Sequence, residues 1–137
     1  MPTPERPSPA EKRVHIPYPG GGDLPFSGAV VVGNTVYLSG HIGLQPGTRT
    51  VPADLDAEIH ALMSSLRETI SRATLTMNDL VFVQIFCSNV SLFDRFNAIY
   101  VTYFKYPLPA RAFIGSGPLL FGAHFEIQGI ATKSTDA

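Results

Sequence analysis

The spacing of apolar residues changes several times along this chain, and each change marks an element. Arg13-Val14-His15-Ile16 has the length and β-branched content of a short strand. The Pro19-Gly20-Gly21-Gly22 cluster then frees the backbone for a loop. The next segment, Ser27-Gly28-Ala29-Val30-Val31-Val32, reads as a strand and not as the helix that a phosphate-cradling glycine loop requires after it. Gly33-Asn34 joins it to Thr35-Val36-Tyr37-Leu38-Ser39, and a two-residue link of this kind predicts an antiparallel hairpin.

From Asp54 the period becomes helical. Leu55, Ile59, Leu62, Met63, Leu66 and Ile70 recur at three- and four-residue steps, with Glu58, Ser65, Arg67 and Glu68 on other faces. Asp54 is the expected N-cap, and the stretch from Thr74 to Asn78 breaks the helix. Val81 to Cys87 alternates as a strand. Ser91-Leu92-Phe93-Asp94 opens a second helix ending near Tyr103 or Phe104, with Phe93, Phe96, Tyr100 and Phe104 as a core stripe. Pro107 and Pro109 stop it, and two strands come after, Arg111 to Gly115 and His124 to Thr132. This order predicts an α+β domain, one sheet with both helices packed on one face. Strands such as Ala29 to Val32 and Val81 to Ile85 are apolar on both sides, so the helix-free face also calls for cover, and a homo-oligomer is expected.

A chain of 137 residues suits a single domain, read here as 13–133. It is flanked by a flexible tail over 1–12, with Pro2, Pro4, Pro7 and Pro9, and a short tail over 134–137. The first twelve residues hold no apolar run, which argues against a signal peptide or a membrane span. Net charge is −1 with no basic block, so no nucleic-acid footprint is expected and small neutral or mildly anionic ligands fit better. Cys87 has no partner for an internal disulfide; it reads as a small buried hydrophobe in a cytoplasmic protein. His15, His41, His60 and His124 share no short spacing and no cysteine partners, so no metal site is expected, and His41 reads as a hydrogen-bonded structural residue. No serine or cysteine nucleophile signature is present.

Candidate chemistry centres on Arg111, at the mouth of the apolar strand Ala110-Arg111-Ala112-Phe113-Ile114. A guanidinium stays charged at any working pH and offers a planar fork that matches a carboxylate with two hydrogen bonds. The plainer alternative is a surface arginine laying its methylenes along the strand. In the last strand His124, Glu126 and Gln128 should share the helix-free face, with Phe125, Ile127 and Gly129 toward the helices. Glu126 must then be hydrogen-bonded, paired or functional. Read as lying on adjacent strands, Arg111 and Glu126 should meet, one to hold an anion and the other to move a proton or orient water. An interface ion pair without chemistry is the alternative. Gln128 can orient water but cannot act as a base.

The segments Pro25-Phe26-Ser27, Leu38-Ser39-Gly40, Asn97-Ala98-Ile99-Tyr100, Pro109-Ala110-Arg111 and Phe125-Glu126-Ile127 fall in the order of the RidA/YjgF family, and the chain resembles that family from about residue 14 to 133. The resemblance implies a chorismate-mutase-like α+β homotrimer with ligand clefts between neighbouring subunits. It also implies hydrolysis of reactive enamines and imines to 2-keto acids and ammonia without metal or organic cofactor. Carried over by residue, the resemblance implies that Arg111 clamps the substrate carboxylate and that Glu126 orients or activates the attacking water. Ser39, Gly40 and Asn97 join the substrate-binding set. Phe26 stands where many active members have tyrosine, which removes a hydroxyl, and Phe113 where they often have cysteine or another small residue, which predicts a narrower, more apolar cleft. The competing function is a non-catalytic trimer that senses or sequesters a small carboxylate. A ribonuclease, the label some members carry, is opposed by the charge balance.

Overall fold

The last strand of the chain is an inner strand of the sheet. The computed structural model describes residues 12–134; the expected tails, apart from Lys12 and Ser134, lie outside the described residues. Six strands, β1 (Arg13–Ile16), β2 (Ala29–Val32), β3 (Thr35–Ile42), β4 (Leu80–Cys87), β5 (Ala110–Gly115) and β6 (Phe125–Thr132), form one sheet in the order β1-β2-β3-β6-β4-β5. Helix α1 (Leu55–Arg72) connects β3 to β4, and α2 (Phe93–Tyr100), extended by a 3₁₀ turn over Val101–Tyr103, connects β4 to β5. Only the β4–β5 pair is parallel, as expected where a helix carries the chain back over the sheet. The hairpin read from Gly33-Asn34 forms, pairing Val32 with Thr35, and Gly33 takes the φ of 57° that the tight link requires.

The expectation that the last two strands are neighbours is corrected: β4 lies between β5 and β6. The burial pattern explains the choice. Along β6, Phe125, Ile127, Gly129 and Ala131 are buried and the residues between them half-buried, whereas most of β5 stays half-buried or exposed. The strand with more apolar surface to bury takes the inner position, and the other takes the edge.

Helix α1 begins where its cap chemistry dictates, with the Asp54 carboxylate accepting the Ala57 N–H at 2.9 Å. Its stripe of Ile59, Leu62, Met63, Leu66 and Ile70 is fully buried against β3, β6 and α2. Each such side chain contributes about 1.5–3 kcal/mol on leaving water. Val83, Ile85, Phe125 and Ile127 of the sheet and Phe96 and Tyr100 of α2 complete the same core, so both helices cover one face. The opposite face carries Tyr37, Gln84, Gln128, Ile130 and Glu126, with Gln128 donating to Gln84 across the strands at 2.7 Å.

Two polar assignments differ from the pattern. Glu58, expected on a face of α1 other than its apolar stripe, is fully buried. His124, expected beside Glu126, is drawn toward α1 instead: its backbone N–H donates to Glu58 Oε2 and its Nδ1 lies against Oε1, each at 2.7 Å. A buried carboxylate is tolerated only when its oxygens are bonded, and helical periodicity cannot foresee a partner 66 residues away. This pair ties the entry of β6 to α1. Glu58→Ala should therefore cost about 1–3 kcal/mol in urea unfolding. Glu58→Gln should cost less, because an amide oxygen still accepts the backbone N–H while its NH₂ donates to a deprotonated Nδ1. Equal losses would show that the hydrogen bonds do not matter.

Candidate functional site

The guanidinium of Arg111 is held by rings. Val83 of β4 pairs with Arg111 and Ile85 with Phe113, which turns both β5 side chains toward the helices. There the guanidinium carbon lies 4.8 Å from the Tyr100 ring centroid, 5.6 Å from Phe93 and 5.7 Å from Phe113. These are cation–π distances, each worth about 0.5–2 kcal/mol. Among the described residues Arg111 forms no ion pair with a carboxylate. On the same helix Asn97 Oδ1 is buried without a hydrogen-bond partner among the described residues, and the Tyr100 hydroxyl is buried beside the guanidinium. Burial pushes the Tyr100 phenol up to about 12 against the pull of the guanidinium beside it. The Arg111 side of α2 thus combines a cation without a carboxylate partner among the described residues with a buried amide oxygen that lacks a donor.

A second corner forms where β3 bulges. Register shifts between Leu38 and His41, and Gly40 sits in that irregularity. A Cβ at Gly40 would overlap the Glu126 carboxylate, so any larger residue there would push that head from its place. Burial raises the Glu126 pKa above its ordinary value, with no hydrogen bond offsetting it. Ser39 Oγ donates to the Ser27 carbonyl. The Tyr18 ring meets Phe26 edge-on at 5.9 Å and stacks on His41 at 4.7 Å, and its hydroxyl accepts the Ile42 N–H at 3.1 Å, capping β3 beyond the end of β2. Phe26 itself is 49% exposed. His41 is fully buried, with Nδ1 donating to the Ser39 carbonyl at 2.7 Å and Nε2 facing the Thr69 hydroxyl at 2.9 Å. Burial lowers its pKa to about 4.

Glu126, Gly40, Ser39 and Phe26 are therefore grouped at one corner, and Arg111, Phe113 and Asn97 belong to another. Within one chain the two do not meet: Arg111 faces the helices from the edge strand, Glu126 faces the opposite side from β6, and β4 intervenes. The stripe read as core is core at Phe96 and Tyr100, but Phe93 is 42% exposed and helps form the arginine cage. Phe113 turns toward α2, its ring 5.0 Å from Phe93 and 5.7 Å from Phe96. Tyr18 and the cage role of Phe93 and Tyr100 escaped the sequence reading. The seven-residue spacing of Phe93 and Tyr100 was a usable signal, since it puts both on the face of α2 that crosses β5.

A family model described as Endoribonuclease L-PSP matches residues 22–133. A mouse protein named 2-iminobutanoate/2-iminopropanoate deaminase is 34% identical over 80% of this chain and 82% of its own length. One of the same name from Dermatophagoides farinae is 36% identical over 77% and 84%. Among solved structures, RidA from the Antarctic bacterium Psychrobacter superposes with a TM-score of 0.79 at 28% identity, covering 85% of this chain and 94% of that one. The YjgF gene product of E. coli gives 0.78 at 27%, covering 88% and 94%.

His41 supplies a pH prediction. Its pKa lies below the ordinary histidine value, so the unfolded chain binds the extra proton first as pH falls. Stability should drop between pH 6.5 and about 4, by up to about 3 kcal/mol from this residue. His41→Gln should flatten that part of the unfolding profile; an unchanged slope would mean that His41 does not titrate as its burial dictates.

Proposed function

The chain belongs to the RidA/YjgF family, described as Endoribonuclease L-PSP, and on that premise we propose that it is a hydrolytic deaminase of 2-imino acids and their enamine tautomers, giving a 2-keto acid and ammonia. The observation that carries this reading is Arg111: a half-buried guanidinium held by three rings and free of any protein carboxylate among the described residues. Such a group suits a small anionic ligand. The relatives named as imine deaminases point to the same class of substrate.

In the proposed reaction the substrate carboxylate binds the Arg111 fork. Glu126 accepts a proton from water as the water oxygen bonds to the imine carbon. That proton then passes to nitrogen; Glu126 next takes the hydroxyl proton and delivers it to the amine as the C–N bond breaks, so that ammonia leaves as the carbonyl forms. An enamine first takes a proton on carbon. The imine carbon is already electrophilic, so placement and one proton acceptor suffice. Because the two groups face away from each other within a chain, the reaction requires Arg111 of one protomer opposite Glu126 of its neighbour. A homotrimer with inter-subunit clefts satisfies that need and also covers the helix-free sheet face. The buried thiol of Cys87 suits a reducing compartment such as the cytoplasm. RNA cleavage gains no support from a chain of net charge −1.

Release of ammonia from freshly generated imine tests the reading. Arg111→Ala should raise KM or abolish turnover, and Glu126→Gln should still bind 2-keto acid while slowing the reaction by about 100- to 10,000-fold. Turnover at the parent rate in either variant would remove that residue from the mechanism, and keto-acid binding without any hydrolysis by the parent protein would favour the sensing role.

The two variants also test the assembly. When refolded together, Arg111→Ala and Glu126→Gln chains should regain activity, with roughly a quarter of clefts holding both native groups. No recovery would overturn the shared cleft. In the parent protein activity should fall as pH drops through the raised Glu126 pKa, because only the carboxylate form accepts the proton. Any residual activity of Glu126→Gln should lack that limb.

A further inference from the structure

We propose that Phe93 and Phe113 form a side-chain subsite that makes this protein prefer 2-imino acids with branched or aromatic side chains over the alanine-derived imine. The inference rests on Arg111 being the carboxylate clamp and deepens that reading. Both rings lie within 6 Å of the guanidinium carbon, at 5.6 and 5.7 Å, and they pack edge to face at 5.0 Å. The orientation of Phe113 decides how this pair acts. A phenylalanine on the same strand face as the clamp could project into the ligand space and restrict it to small substrates. Here its ring lies instead against α2, touching Phe93 and Phe96. It paves the wall beside the clamp.

Phe93 is the outer tile of that wall, 42% exposed although it belongs to the same aromatic cluster as the core. Exposed aromatic surface beside a charged anchor is surface that a ligand can remove from water. In a 2-imino acid the side chain leaves from the carbon next to the carboxylate. A carboxylate docked on Arg111 therefore brings its side chain to within a few ångströms of rings that flank the same guanidinium. An alanine-derived imine offers one methyl or methylene group to this wall, and a leucine- or phenylalanine-derived imine covers it. Discrimination of small against large apolar groups in such a pocket is typically about 10- to 200-fold. The rings attract the cation, and no carboxylate among the described residues pairs with it, so clamp and subsite operate together.

Imines generated in situ from alanine, leucine and phenylalanine by an amino-acid oxidase test this directly, with ammonia release as the readout. The parent protein should show kcat/KM at least about tenfold higher for the leucine or phenylalanine imine than for the alanine imine. Phe113→Ala and Phe93→Ala should each bring that ratio toward one. A parent preference for the alanine imine, or an unchanged ratio in both variants, would overturn the subsite. Calorimetric titration with the matching 2-keto acids separates this outcome from failure of the deaminase reading. If no imine is hydrolysed, the proposed reaction fails, yet the subsite still predicts tighter binding of the branched and aromatic keto acids and loss of that preference in the phenylalanine variants. Equal binding of all three keto acids by the parent protein would then overturn the subsite as well.

Discussion

Strand β6 hydrogen-bonds to neighbours on both edges, and this double pairing constrains everything around it. Between β3 and β4 it has no edge to give to solvent, and both of its faces lie over the middle of the sheet. Its two-residue period sends Phe125 and Ile127 into the helix-packed core and Glu126 and Gln128 to the opposite side. The strand that organises the core is thus also the strand that carries the acidic group. A one-residue slip would bury Glu126 under α1 and expose Phe125. The paired hydrogen bonds of Glu58 to His124 anchor the start of the strand against such a slip.

The position of β6 also dictates where Arg111 can be. With β6 inserted beside β4, β5 is left to pair with the far edge of β4. Its parallel register with β4 turns Arg111 to the same side as Val83, toward α2. A rigid sheet cannot bring a helix-facing side chain on its edge strand to a carboxylate on the other face two strands away. The separation is a product of topology and does not depend on side-chain rotamers.

The sequence disclosed local structure well because local structure depends on neighbours in the chain. The period of α1, the Asp54 cap and the Gly33-Asn34 hairpin are each written within a few residues. Alternation in β6 likewise foretold which side Glu126 would face. What escaped depends on partners far apart in sequence: the insertion of β6 between β3 and β4, the burial of Glu58 by His124, and the caging of Arg111 by α2. Two consecutive strands near the end of a chain read naturally as neighbours, and only the competition for inner burial separates them. The family motifs marked the residues of both corners, but motif order carries no information on which sheet face each residue occupies.

Aromatic rings support the Arg111 cation without neutralising it. A carboxylate would hold the guanidinium more strongly, but it would occupy the N–H fork and neutralise the charge. Phe93, Tyr100 and Phe113 instead attract the cation through their π faces and leave its charge uncompensated. Glu126 shows the complementary arrangement, a carboxylate desolvated without a protein cation, which raises its proton affinity. Had one chain folded with the two in contact, each would have quenched the other: the arginine would have lost its open fork and the glutamate its strength as a base. Keeping them on opposite faces of one sheet leaves each unpaired by the other.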